Sequence, residues 1–205
     1  MVKRNPAMAP RRLPAGERRE ALLAAALPVF AIRGYEGTTT RDLAAAAGVS
    51  EPVLYRHFPS KADLFAAVLS RVEERLLARL EGSIADAGDA PRRIEALAKS
   101  LPDLLAGMED EFRVLNGAAA THGDARTAAL VRGTYAKLGA FLSRALSTAG
   151  LRRGLSPEVA GHVLLEIGLG ASLARTVRVP AMSRNGYGDA ALALLLSAMT
   201  RPNRT

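Results

Sequence analysis

Side chains that perform covalent or metal chemistry are sparse in this sequence, and their sparseness sorts the possible functions first. The 205 residues include no cysteine, which removes disulfides, thiol nucleophiles and thiolate metal ligands. The three histidines, His57, His122 and His162, are widely separated, so neither a metal site nor a cofactor is expected. His162 and Glu166 lie one helical turn apart and could work as an acid–base pair. No nucleophile, phosphate-binding loop or metal-ligand spacing accompanies them, so the chain is not expected to be an enzyme. What the chain does offer is positive charge. Lysine and arginine number 28 against 20 aspartates and glutamates, a net charge of +8. Residues 1–61 hold 10 of the basic residues and 5 of the acidic ones, more than half of the excess in less than a third of the chain. Lys3, Arg4, Arg11, Arg12, Arg18 and Arg19 crowd the first positions. Basic charge gathered in this way points to a polyanionic partner.

The elements that must position these groups read as helices. Residues 1–14 carry Pro6, Pro10 and Pro14 with no apolar period, which predicts a flexible basic arm. Leu23, Leu27 and Phe30 share one face of a helix from about Gly16 to Arg33, ended by Gly34, with Pro28 expected to cost it a bond or a kink. A short helix over Thr40–Ala47 has Thr39 and Asp42 as a capping pair and stops at Gly48. A second short helix over Glu51–His57 has Ser50 as its cap and tolerates Pro52 in its first turn. Ser60 and Asp63 cap a long fourth helix. Two short helices around a Gly-containing turn make a helix-turn-helix. Leu43, Ala47, Val49 and Leu54 face inward, which leaves the outer side of Glu51–His57 for a DNA major groove. Ala21–Ile32 follows basic residues as a signal-peptide core does, but Glu17 and Glu20 stand directly before it, so export is not expected. No run reaches the ~20 apolar residues of a membrane span, and a cytoplasmic location is expected.

The combination of Gly34-Tyr35, Thr38-Thr39, Ala47-Gly48-Val49-Ser50, Leu54-Tyr55-Arg56-His57-Phe58 and Ser60-Lys61 resembles the DNA-binding domain of the TetR (tetracycline repressor-like) family of bacterial regulators. The resemblance covers roughly the first third of the chain. It implies phosphate contacts, and sometimes a base contact, from Thr40 and Arg41. It implies base reading from Ser50, Glu51, Pro52 and Val53, and clamping of the phosphate backbone by Tyr55 and His57. Lys61 matches a phosphate-contacting lysine at the start of the fourth helix. At Glu51 two readings stand. The carboxylate can accept from cytosine N4, or it merely suits the helix macrodipole. Arg41 is the best candidate for reading a guanine.

Beyond residue 64 the resemblance is one of architecture. Helices are expected over Pro91–Gly107, bent near Pro102, over Glu109–Ala120, from an Asp124 cap to Gly150, over Pro157–Val177, and over Asp189–Met199 after a loop. The expected fold is therefore all-α with about nine helices. An arm over 1–14 and a helix-turn-helix DNA-binding domain over 15–60 precede a helical ligand-binding and dimerisation domain over 61–205. Helix 8 is apolar all round, so its outer face is expected to meet a partner, with helices 8 and 9 forming a homodimer; a core helix in a monomer is the alternative. The family implies a small-molecule pocket between helices 4 and 8. Candidates are Met108, Phe112, Leu115 and Asn116, then Tyr135, Leu138 and Phe141, then His162, Leu165, Glu166 and Leu169. The expected function is that of a transcriptional regulator, a repressor released from operator DNA by an apolar or weakly polar effector. A ligand-independent architectural role on DNA is the competing expectation.

Overall fold

A computed structural model describes residues 14–120, 125–147 and 151–178, together with Leu194 and residues 197–199. Residues 1–13 of the arm, His122, the Asp124 cap, the loop over 180–188 and most of the expected ninth helix lie outside the described residues. Among the described residues the regular elements are eight helices: α1 (Ala15–Arg33), α2 (Thr40–Ala46), α3 (Glu51–His57), α4 (Lys61–Ile84), α5 (Ala90–Gly107), α6 (Glu109–Ala120), α7 (Ala125–Ala145) and α8 (Pro157–Thr176). The fold is all-helical, as the periodicity implied.

Local chemistry accounts for most boundaries. Gly34 adopts φ +68°, the left-handed region that favours glycine, and its N–H returns to the Phe30 carbonyl to stop α1. Thr39 and Asp42 form a reciprocal capping box on α2, and the Ser60, Asp89 and Ser156 side chains cap α4, α5 and α8. Ser50 occupies the cap position of α3 but makes no side-chain cap bond, which corrects the expected role. Pro52 has no N–H to offer it, and the Val53 N–H goes instead to the Ser50 carbonyl at 2.9 Å. Pro28 and Pro102 both sit inside uninterrupted helices. At Pro102 the lost backbone bond and ring clash cost about 3 kcal/mol. Burial of Leu97, Leu104 and Leu105 on the same helix outweighs this, at roughly 1.5–3 kcal/mol for each fully buried leucine. Helix α7 ends at Ala145, short of the expected Gly150.

One continuous apolar core joins the first three helices to the rest. Phe30 of α1 meets Phe65 of α4 edge-on at 4.9 Å, and Leu43, Leu54 and Phe58 pack in the same cluster as Leu76, Phe112, Leu115 and Leu138. Helix α4 is the shared member, buried along Leu64, Val68, Val72 and Leu76. Ion pairs tie it to α1 through Arg71–Glu20, to α6 through Arg75–Glu111, and to α7 through Asp63–Arg126 and Glu73–Lys137. Helices α7 and α8 run antiparallel, with His162 against Gly139 and Gly161 against Ser143. A second small cluster brings Met199 against Ala90, Ile94 and Leu146, and the Arg152 N–H donates to the Met199 carbonyl at 2.9 Å. No described helix is long and apolar enough to cross a membrane.

Candidate nucleic-acid interface and the cavity behind it

Helices α2 and α3 are held from behind and open in front. Behind, Leu43, Ala44 and Leu54 are buried in the core, and the turn between the helices closes through Gly48 at φ +63° and a Val49 N–H bond to the Ala44 carbonyl. In front, Arg41, Ser50, Pro52, Tyr55 and Arg56 are exposed, and Thr40, Glu51, Val53 and His57 are half-buried. The front residues are linked to one another. Thr40 Oγ1 donates to Glu51 Oε2 at 2.7 Å, and the Tyr55 hydroxyl reaches Thr40 Oγ1 at 3.5 Å. Arg41 Nε lies 3.8 Å from Glu51 Oε1. A donor-rich surface is thus anchored across both helices before any ligand arrives. Arg56, exposed on the last turn of α3, and Arg19, whose guanidinium sits 4.8 Å over the Phe58 ring, extend it with positive charge. Arg19 counts among the crowded basic residues and Arg56 among the Leu54–Phe58 motif, but the sequence alone assigns neither an individual contact. The helical register of α3 was enough to place Arg56, whereas Arg19 required the tertiary contact.

Lys61 is more embedded than a simple phosphate contact. Its ammonium donates to the carbonyls of Tyr35 and Thr38 at 2.9 and 3.0 Å and rests 4.3 Å over the Tyr35 ring. It therefore pins the α1–α2 connection to the start of α4, with one ammonium proton left over. The carboxylates nearby are held ionised. The Thr39 hydroxyl and amide, followed by Arg33, hold Asp42 below the usual carboxylate value, and Ser60 and Arg126 do the same for Asp63.

Behind this surface, a cavity of about 70 Å³ lies among α4, α5, α6, α7 and α8. Its lining is entirely apolar and includes Leu76 and Leu80 of α4 and Phe112, Leu115, Leu138, Leu165 and Leu169. The polar candidates are elsewhere. Asn116 is half-buried and donates to Ser172 Oγ at 3.3 Å. Tyr135 lines a separate depression beside Val131 and Arg132. There, burial and then the Glu166 carboxylate push its phenol above the ordinary value. His162 and Glu166 lie exposed on α8 away from the cavity, at its α7 edge and along a shallow groove with Val159 and Val163, and His162 Nδ1 bonds the Glu158 carbonyl at 2.9 Å. Met108 and Phe141 are buried but do not line the cavity. The structure gathers Phe112, Leu115, Leu138, Leu165 and Leu169 around the cavity and leaves Met108, Phe141 and the polar candidates off it; on α8, a helix apolar on every side gives no sequence signal for which face turns inward. Among the described residues no His, Asp or Glu cluster could hold a metal ion.

Residues 22–68, which span both short helices and the start of α4, match the family model described as bacterial regulatory proteins, tetR family. The nucleoid occlusion factor SlmA of Shewanella halifaxensis is 32% identical over 157 residues, covering 75% of this chain and 80% of that protein. The chain belongs to the TetR family. It is a DNA-binding transcription regulator rather than an enzyme. The HTH-type transcriptional activator FasR of Mycolicibacterium smegmatis is 38% identical over 104 residues, and the match spans only 48% of that protein. Among solved structures, a transcriptional regulator from Rhodococcus sp. Rha1 shares 29% identity with a TM-score of 0.71 over 87% of this chain and 94% of that one. A SmeT–triclosan complex superposes with a TM-score of 0.72 at 24% identity over 91% of this chain and 93% of that one, a likeness of fold.

One more surface of this TetR-family chain stands out. Val159, Val163 and Leu173 of α8 and Val177, its C-cap, recur at helical spacing and are all exposed, with Glu166 on the same side. Only Ala160, Gly161 and Ser172 of α8 are fully buried.

Proposed function

We propose that the chain is a homodimeric, cytoplasmic repressor that holds operator DNA through α2 and α3 and releases it when a small apolar effector enters the cavity among α4–α8. In this reading, residues 1–14 form a basic arm, 15–60 the DNA-binding domain, and 61–205 the ligand-binding and dimerisation domain. Thr40, Arg41, Ser50, Glu51, Pro52, Val53, Tyr55, His57 and Lys61 face the DNA. The observation that carries the reading is the cross-linked front of α2 and α3, where the Tyr55 hydroxyl and the Arg41 guanidinium stand exposed over a buried leucine backing. Groove docking needs such an arrangement.

Helix α4 supports the release step. It starts beside the DNA-facing residues at Lys61 and lines the cavity at Leu76 and Leu80, about 22 and about 28 Å further along its axis at ~1.5 Å per residue. The cavity is far smaller than the roughly 300–1,000 Å³ of ordinary ligand sites. An effector therefore has to push α4 and its neighbours apart, and the favoured body conformation shifts with it. SmeT was solved with triclosan, which makes that compound a reasonable first probe from an apolar panel. Gel-shift and footprinting on the chain's own upstream region test the reading. A defined footprint, lost when an apolar ligand raises the melting temperature, is the expected result.

A second reading is favoured by the small cavity. It holds that DNA is bound with no effector at all. A footprint that survives every ligand in the panel, with no change in melting temperature, selects that reading instead.

A further inference from the structure

The front of the helix-turn-helix carries a donor and an acceptor side by side, and their arrangement has a matching pattern in DNA. Glu51 uses one carboxylate oxygen, Oε2, on the Thr40 hydroxyl at 2.7 Å. The other, Oε1, is 3.8 Å from Arg41 Nε, beyond the roughly 2.7–3.2 Å of a hydrogen bond, so its acceptor capacity toward Arg41 is not used. The Glu51 side chain is 37% exposed and the Arg41 side chain 88% exposed, so both can meet a partner. A carboxylate facing a polyanion opposes binding unless a donor satisfies it. In the major groove only cytosine N4 and adenine N6 supply that donor. A guanidinium fork, in turn, is satisfied bidentately by the O6 and N7 acceptors of guanine. A C·G pair presents the cytosine donor beside the two guanine acceptors, the complement of a carboxylate oxygen beside a guanidinium. An A·T pair also offers a donor, but it lacks the paired O6 and N7 acceptors.

From this geometry we infer that Glu51 and Arg41 together read one C·G base pair in each operator half-site. Glu51 accepts from cytosine N4, and Arg41 donates to guanine O6 and N7. Thr40 and Tyr55 position the carboxylate and make no base contact of their own in this step. The inference rests on the proposed DNA-binding reading and names what that surface selects.

The test is selection from randomised duplexes at fixed salt with the full chain, followed by affinity measurements on single-base variants of the winning site. The wild-type chain should enrich a C·G pair at one position per half-site, and replacing that pair should cost about tenfold or more. Glu51→Gln keeps an acceptor for Thr40 and should move the preference at the cytosine position toward adenine, the base a glutamine amide matches. Arg41→Ala should remove the preference for guanine. If Glu51→Gln changes affinity by the same factor on every sequence, Glu51 is a clamp only and the inference fails while the DNA-binding reading stands. If the wild-type chain enriches no sequence at all, both fail together.

Discussion

Lys61 does more for this chain than supply a positive charge. The sequence offered it as a phosphate contact through the Ser60-Lys61 resemblance, and the structure adds two carbonyl acceptors, of Tyr35 and Thr38, that no spacing rule reveals because they lie 26 and 23 residues earlier. Hydrogen bonds from a charged donor contribute about 1.5–3 kcal/mol, less where the site is partly open to water. Lys61→Ala should therefore lower unfolding stability by roughly 1–3 kcal/mol, read from urea melts of the full chain. If its remaining proton also meets a phosphate, the same substitution should reduce the salt slope of operator binding by about one. A stability loss with an unchanged salt slope would make Lys61 a tie within the fold and nothing more. Glu51 shows the same limit from the other side. Its helix-start position was legible, but whether its carboxylate was free or engaged depended on Thr40, eleven residues away on another helix.

At the level of elements, the helices whose polar and apolar faces alternate cleanly were readable, and the one that lacks this contrast was not. Caps and glycines fixed α1 to α4 nearly to the residue, since Thr39, Gly34, Gly48 and Ser60 act within a turn of their own position. Helix α8 is apolar on all sides, so its inward face emerged only from packing, and His162 and Glu166 turned out to face away from the cavity. Its glycines now have different expected behaviours. A methyl at Gly161 would sit 2.5 Å from the Ser143 backbone nitrogen, so α7 and α8 would have to separate. A methyl at Gly168 would find its nearest neighbour, Leu101 Cδ1, at 3.9 Å, beside the cavity. At Gly139 of α7 the obstacle is the His162 ring at 2.8 Å, an exposed side chain that can swing aside at the cost of its bond to Glu158. Alanine gains up to about 1 kcal/mol of helix propensity over glycine in a helix interior. Gly168→Ala should therefore raise the melting temperature by a few degrees, and Gly139→Ala should leave it nearly unchanged. Gly161→Ala should destabilise by about 1–3 kcal/mol through overpacking. Equal melting temperatures for Gly161→Ala and Gly168→Ala would contradict the α7–α8 packing described above.

Across the whole molecule, the unresolved chemical tension is the outer side of α8. Val159, Val163, Leu173 and Val177 are 53%, 41%, 53% and 63% exposed, one apolar stripe along a helix whose other sides pack on α5, α6 and α7. A stable protein interface needs about 800 Å² from each partner, and a four-residue stripe about five turns long supplies its apolar centre rather than its full extent. A two-fold contact would place the stripe against its own copy and set two α3 helices at a fixed separation. Substituting Val163→Glu together with Leu173→Glu puts like charges at two levels of that contact without touching the buried face of α8. In sedimentation velocity the wild-type chain should run as a dimer and the double variant as a monomer with unchanged helicity. Operator affinity should fall on the order of 10²–10⁴-fold, the loss expected when two linked recognition helices become independent. A single half-site duplex should hardly distinguish the two proteins, because each α2–α3 surface stays intact. If the double variant still sediments as a dimer, the contact lies elsewhere. If the wild-type chain is itself a monomer that binds its full operator tightly, the exposed stripe has some other partner.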